Sequence, residues 1–397
     1  MTKKSSLRSC PICGCRVVHC LHRQSFALGE EHPVGSGYDV VSCSACGFAF
    51  ADTAAKQADF DRLYSEESKY ADSATSTGAG SADWDVSRLR RVASDIREFV
   101  GSSDGLIADI GCANGGLLKE LKQLGFQELL GVDPSATCVH NAEAASGVQA
   151  VVGSLFDLGS LPDASLGGAI LSHVLEHVCD LQGAITALDK KLASGAWLYI
   201  EVPDALRYKE LLCSPFQDFN TEHINHFSVH CLENFVGLHG FVADRSGQKE
   251  IFAARNIPYP AAFVFARKTG ERKPLTPDSE LEASLRDYVS ASGKMMQVVS
   301  ARIDGILNAG QPLVVWGTGQ LALKLLSDTS LKDANIAAFV DSNPIHQGKT
   351  LRGIGIISPD ALKEIPYPIL IASLVNVDSI QAAVDSLGLT NPVLALT

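Results

Sequence analysis

Twice along this chain a short apolar run breaks at a glycine-rich turn and gives way to a helical stretch. The first is Ile107-Ala108-Asp109-Ile110-Gly111-Cys112-Ala113-Asn114-Gly115-Gly116, and the second is Val314-Val315-Trp316-Gly317-Thr318-Gly319-Gln320-Leu321-Ala322. Such a turn brings bare backbone to a ligand at the carboxyl edge of a parallel sheet. Around the first turn, candidate strands at 106–110, 128–132, 148–153, 168–172 and 197–202 alternate with helical stretches such as 115–124 and 136–145. Strands at 241–245 and 262–267 would complete that unit. The second turn opens a similar series, with strands at 313–316, 336–340, 369–372 and 392–396 and helices at 320–326 and 378–387. Alternation of this kind predicts parallel sheets covered on both faces.

The ends of the chain differ from its middle. Residues 1–55 are rich in Cys, His, Ser and Gly, with only short alternating stretches, and cannot build a core of their own. Residues 60–100 read as helical, interrupted by a loop at 72–81. Pro274 and Pro277 mark a linker ahead of a long helix at 279–307. Three domains follow from this: 1–55, 56–272, and 273–397 with its linker and long helix at 273–310. The N-terminal stretch lacks an apolar signal core, and no apolar run is long enough to span a bilayer, so a cytoplasmic protein without a membrane partner is expected. A net charge of -12 argues against a nucleic-acid partner.

Six of the 11 cysteines lie within the first 46 residues. In a reducing compartment they are metal ligands or buried thiols rather than disulfides. Cys10-Pro11-Ile12-Cys13 and Cys43-Ser44-Ala45-Cys46-Gly47 are two C-x-x-C knuckles, together offering the four thiolates that tetrahedral Zn²⁺ prefers. Cys15, Cys20, His19 and His22 are rival ligands. A closed four-thiolate site is structural, holding its lobe together.

Charge decides what the first glycine turn holds. A dinucleotide pyrophosphate wants bare amides and no carboxylate. Asp109 at the strand end instead suits a ligand carrying an ammonium and a sulfonium, and S-adenosylmethionine (SAM) has both. Gly111, Ala113 and Gly115 form the turn. Asp133, in Val132-Asp133-Pro134, stands where it accepts from ribose hydroxyls. Gly153-Ser154-Leu155-Phe156-Asp157 ends the third strand, where Phe156 or Leu155 can pack on an adenine and Asp157 can take its amino group. The run D-x-G-x-x-x-G, then V-D-P, then Ser172-His173-Val174-Leu175-Glu176-His177 resembles the class I SAM-dependent methyltransferases. Ala113 departs from it, since the family often has Gly there.

His173 follows the fourth strand on the rim of the same pocket and is assigned to the cofactor; it would share a helix face with His177 if the segment were helical. Phe219-Asn220-Thr221-Glu222-His223-Ile224-Asn225-His226 is a polar cluster between aromatics, with histidine the natural base near neutral pH. The E-H segment, the knuckles and the trailing α/β unit together resemble the three-domain, zinc-containing C-methyltransferases of nucleotide-linked keto-deoxysugars. That resemblance implies His223 as the base that removes a proton beside a ketone. It places Glu222, His177 and, more loosely, Tyr70 near the sugar. The sequence lacks the tyrosine and extra histidine expected before Glu222.

The second turn, G-x-G-x-x-A followed by Asp341, reads alone as a dinucleotide fingerprint. The resemblance makes it a holder of the substrate's nucleotide. The expected architecture is a class I methyltransferase core between a zinc-binding lobe and a Rossmann-like domain. The rivals are an O- or N-methyltransferase of another small metabolite, an NAD-binding regulatory C-terminal domain, and a zinc-anchored binding module that has lost catalysis.

Overall fold

A computed structural model describes residues 3–28, 32–67, 79–101, 105–158, 161–308 and 310–396. Its contacts divide the chain into two compact units. The first comprises residues 1–20, 41–211 and 222–285, and the second comprises 21–40, 212–221 and 286–397.

The cysteine-bearing end forms β1 (Lys3–Ser5), β2 (Val17–Ser25), β3 (Gly37–Cys43) and β4 (Ala49–Asp52). These strands lie side by side in that order, and a two-residue strand, Asn225–His226, completes the sheet beyond β4. Every residue of β4 is buried. Its Asp52 is tolerable there because the carboxylate accepts from the Leu7 N–H at 2.7 Å and pairs with Lys4 Nζ at 3.3 Å.

The central sheet follows α1 (Gln57–Glu67) and α2 (Asp83–Val100). In chain order come β5 (Leu106–Ile110), α3 (Gly116–Gln123), β6 (Leu129–Asp133), α4 (Ala136–Ser146), β7 (Ala150–Val152), β8 (Leu166–Ser172), α5 (Leu181–Lys191) and β9 (Leu192–Pro203). After β10 (Asn225–His226) and α6 (Val229–Leu238), β11 (Phe241–Ala254) and β12 (Ile257–Lys268) close the sheet as a hairpin. Its order is β11-β12-β9-β8-β5-β6-β7. The strands from β9 to β7 are mutually parallel, whereas β12 runs antiparallel to β9. The order reverses between β5 and β8, so their carboxyl ends open a crevice for a ligand.

Leu89, Val92 and Ile96 of α2 and Leu118 and Leu121 of α3 share one core with Ile107, Ile170, Tyr199 and Phe265 of the strands. Gly168 pairs with Trp197 across β8 and β9, and a Cβ there would lie 2.1 Å from the indole ring. Only glycine fits beneath that ring. Ser135, Asp180 and Ser228 cap α4, α5 and α6 by accepting the backbone N–H three residues on. The third strand is shorter than the sequence implies. The final hairpin is much longer than expected, because outward charges such as Asp244, Arg245 and Glu250 break up its apolar pattern.

In the second unit, most of α7 (Leu281–Leu307) leads to β13 (Leu313–Trp316), α8 (Gln320–Asp328), β14 (Ile336–Val340), β15 (Thr350–Leu351), β16 (Ile354–Ile357), β17 (Ile369–Ile371), α9 (Val377–Ser386) and β18 (Val393–Leu394). The sheet order is β15-β16-β14-β13-β17-β18, parallel apart from β15. Residues 21–40 and 212–221 pack on α8 through a buried cation. Lys324 Nζ donates to Gln24 Oε1 at 2.8 Å and Asp328 Oδ2 at 2.7 Å, and sits 4.6 Å from the Phe216 ring centre. Among the described residues no helix is long and apolar enough to cross a membrane.

Candidate active site

Three residues of the first glycine turn take left-handed backbone: Gly111 at φ 80°, Ala113 at φ 45° and Gly115 at φ 78°. A Cβ at Gly111 would lie 2.7 Å from Val174 Cγ2, and one at Gly115 would lie 2.7 Å from Ala142 Cα. The first contact shows that this turn abuts the segment following β8. Ala113 alone carries a side chain in the strained region, and its N–H donates to Asp133 Oδ2 at 3.0 Å. Ser135 N–H donates to the other Asp133 oxygen at 2.9 Å.

Asp109 is 3% exposed. Burial, and then the neighbouring charge of Asp133, pushes its carboxyl up to about 7. Burial likewise raises Asp133, against the two N–H donors that hold it. Two carboxylates at consecutive strand ends, each reluctant to ionise, form a site that gains from a cationic ligand. At the third strand end Phe156 is half-buried and Asp157 exposed, in a turn closed by the Asp157 N–H to Ser154 carbonyl bond at 3.1 Å.

After β8 the chain does not enter an α-helix, and the expected helix face shared by His173 and His177 is absent. His173 turns at φ 58°, and only Leu175–His177 form a short 3-10 turn. His173 Nδ1 lies 3.0 Å from Glu176 Oε1, and its Nε2 lies 3.2 Å from Glu201 Oε1 without the alignment of a hydrogen bond. Burial opposes its charge, yet the two carboxylates raise His173 to about 9. Glu201 is itself paired with Lys249 and accepts from Tyr199 at 2.6 Å.

His177 Nδ1 lies 2.9 Å from Tyr64 Oη and 3.2 Å from the Glu222 carbonyl. Its ring meets that of His223 edge-on, with centroids 4.9 Å apart. Glu176, His177 and His223 converge so that one polar atom of each lies within 4.8 Å of the others. Glu176 is buried, and among the described residues none donates a hydrogen bond to its Oε2. His226 instead belongs to the core: burial, and then Arg8, lowers it to about 3. Tyr70 lies outside the described residues, as does most of the loop at 72–81.

Tyr64 and Glu201 escaped the sequence reading, and Glu176 entered it only as part of the run 172–177. The signal for Glu201 was present, as a lone acid inside the apolar run Trp197-Leu198-Tyr199-Ile200-Glu201-Val202. Tyr64 gave none, being one of several polar-tipped residues on a helix.

The knuckle cysteines form one cluster, with all four sulfurs within 4.8 Å of one another. Cys10 Sγ lies 3.6 Å from Cys46 Sγ, and Cys13 Sγ lies 3.5 Å from Cys43 Sγ. A tetrahedral ion with sulfurs at about 2.3 Å sets them about 3.8 Å apart, so the donors fit Zn²⁺. Gly14 and Gly47 each turn left-handed after a knuckle and donate their N–H to the carbonyls of Cys10 and Cys43, both at 2.9 Å. The rivals are engaged or turned elsewhere: His19 pairs with Glu282, His22 stacks on Phe216, and Cys20 is exposed.

Residues 86–245 match the family described as "Methyltransferase domain". Across these residues the chain carries a methyltransferase domain. Residues 311–392 match a second family, described as "C2185-like, N-terminal". No curated protein matches significantly. Among solved structures, a SAM-dependent methyltransferase from Methanosarcina mazei is 22% identical, covering 44% of this chain and 98% of its own, with a TM-score of 0.38. A SAM-dependent methyltransferase from Mesorhizobium loti is 19% identical, covering 45% and 99%, at 0.37. A geranyl diphosphate C-methyltransferase from Streptomyces coelicolor is 13% identical, covering 45% and 76%, also at 0.37.

The second glycine turn repeats the carboxylate-to-backbone pattern of the first and adds two side-chain partners. Asp341 accepts from the Thr318 hydroxyl and from the N–H groups of Thr318 at 3.2 Å and Asn343 at 2.8 Å, and it pairs with His346 at 3.1 Å. Burial opposes its charge, but His346 and Thr318 hold its carboxyl below the usual range. Both added partners fall on Oδ2, while Oδ1 accepts the Asn343 N–H.

Proposed function

We propose that this methyltransferase transfers the methyl of SAM to a carbon beside the ketone of a nucleotide-linked keto-deoxysugar, with His223 as the base. The observation that carries the reading is the convergence of His223 on His177 and Glu176, on the same turn whose Val174 abuts Gly111. Asp109 and Asp133 would hold the cofactor through its ammonium and its ribose hydroxyls, with Phe156 and Asp157 at the adenine. SAM supplies an electrophilic methyl on a sulfonium.

His223 takes the proton from carbon, and the electron pair of that C–H bond becomes the enolate. SAM held at Asp109 and Asp133 would supply the methyl that this carbon takes up, its carbon–sulfur bond giving way to the new carbon–carbon bond. Glu176 and Glu222 favour the imidazolium that results, and His177 orients it. The four cysteines hold a structural Zn²⁺.

The test is mass spectrometry of products formed from deuteromethyl-labelled SAM and a panel of nucleotide sugars. Label retained on carbon is expected. Label on oxygen or nitrogen alone would remove the enolate step and leave an O- or N-methyltransferase.

A further inference from the structure

Asn225 is 1% exposed, and its amide reaches three places. Oδ1 accepts from Arg8 Nη2 at 2.8 Å. Nδ2 donates to the carbonyls of Leu175 at 2.8 Å and Val178 at 2.7 Å, which bracket Glu176 and His177. The neighbouring Ile224 N–H donates to the Glu176 carbonyl at 2.8 Å, while the Ile224 carbonyl accepts from Ala51 N–H at 2.9 Å. Asn225 also pairs with Phe50 as the last strand of the cysteine-bearing sheet.

Arg8 approaches from that lobe, two residues before Cys10. It is half-buried over the Phe50 ring at 5.1 Å, and its backbone N–H donates to Asp52 at 3.3 Å. The turn bearing His177 and the segment bearing His223 are therefore joined through one side chain, itself held from the lobe. A primary amide can accept from a guanidinium and donate twice, whereas Asp keeps the acceptor and loses both donors.

We propose that Asn225, clamped by Arg8, is the positioning residue that sets His223 against His177, which makes the cysteine-bearing lobe part of the catalytic apparatus. This rests on His223 being the base. The full-length protein with labelled histidines decides it through the ring-to-ring NOE between His177 and His223, assigned with His177→Asn and His223→Asn. The contact is expected in the wild type, lost in Asn225→Asp and weakened in Arg8→Lys, which keeps the charge but not the planar fork. Turnover of a nucleotide-linked ketosugar should fall roughly tenfold to a hundredfold in Asn225→Asp, with SAM affinity kept within about twofold. A folded Asn225→Asp with the wild-type NOE overturns the proposal. Should that variant not fold, an unchanged NOE in Arg8→Lys overturns it. The NOE needs no substrate, so an incorrect sugar assignment leaves this test standing.

Discussion

His177 and His223 meet edge-on with ring centroids 4.9 Å apart, although one follows the fourth parallel strand and the other sits beside a strand of the cysteine-bearing sheet. Two distant sequence segments thereby meet, and the elements that bring them together are each open to measurement.

Affinity for SAM should depend on pH through Asp109. Its carboxyl is raised to about 7 by burial and Asp133, and a cationic ligand binds the ionised form. Below that value each pH unit should weaken binding by up to about tenfold, because the proton must leave first. Calorimetry between pH 5 and 8 checks this, and Asp109→Asn should abolish the dependence. A flat affinity in the wild type would place the cofactor's positive charge elsewhere.

Stability should fall on the alkaline side through His173. Its folded value of about 9 exceeds the unfolded value, so its contribution is complete below about pH 6.5 and is lost as pH rises through 9. Melting curves should show wild type exceeding His173→Gln at pH 6 and the gap closing by pH 10. A gap independent of pH contradicts a charged His173 between Glu176 and Glu201.

Ala113→Gly should be neutral or stabilising by up to about 1 kcal/mol, since φ 45° costs an alanine about that much. In ordinary backbone the same change loses roughly 0.4–1 kcal/mol. A denaturant midpoint lowered by that amount would show that the turn is relaxed in solution.

Purified protein should carry about one Zn²⁺ per chain, and Cys43→Ser should lower the melting temperature and metal content more than it weakens SAM binding. Elemental analysis finding active protein without zinc would leave the four sulfurs as packed thiols.

Much of this was legible in the sequence because it is local. The knuckles, the strand-end carboxylates Asp109 and Asp133, and the glycines at 111 and 115 each fall in a short motif whose residue types and spacing are read directly from the chain. The lengths of β11 and β12 were hidden, because their exposed faces carry charges that mimic loop. The clustering of residues 21–40 with the second unit was hidden too. It depends on Lys324, whose partners Gln24 and Phe216 lie far off in the chain. Nor did any pattern in α1 mark Tyr64 over its neighbours as the partner of His177.

The central claim is that His223 draws a proton from carbon before the methyl moves. Wild type in heavy water, with S-adenosylhomocysteine bound, should wash deuterium into the substrate carbon beside the ketone. His223→Asn should lose both this exchange and turnover, by roughly 10²–10⁴-fold, at unchanged SAM affinity. His226→Asn should be much milder, because that ring is buried and neutral. Exchange that survives intact in His223→Asn would contradict the account.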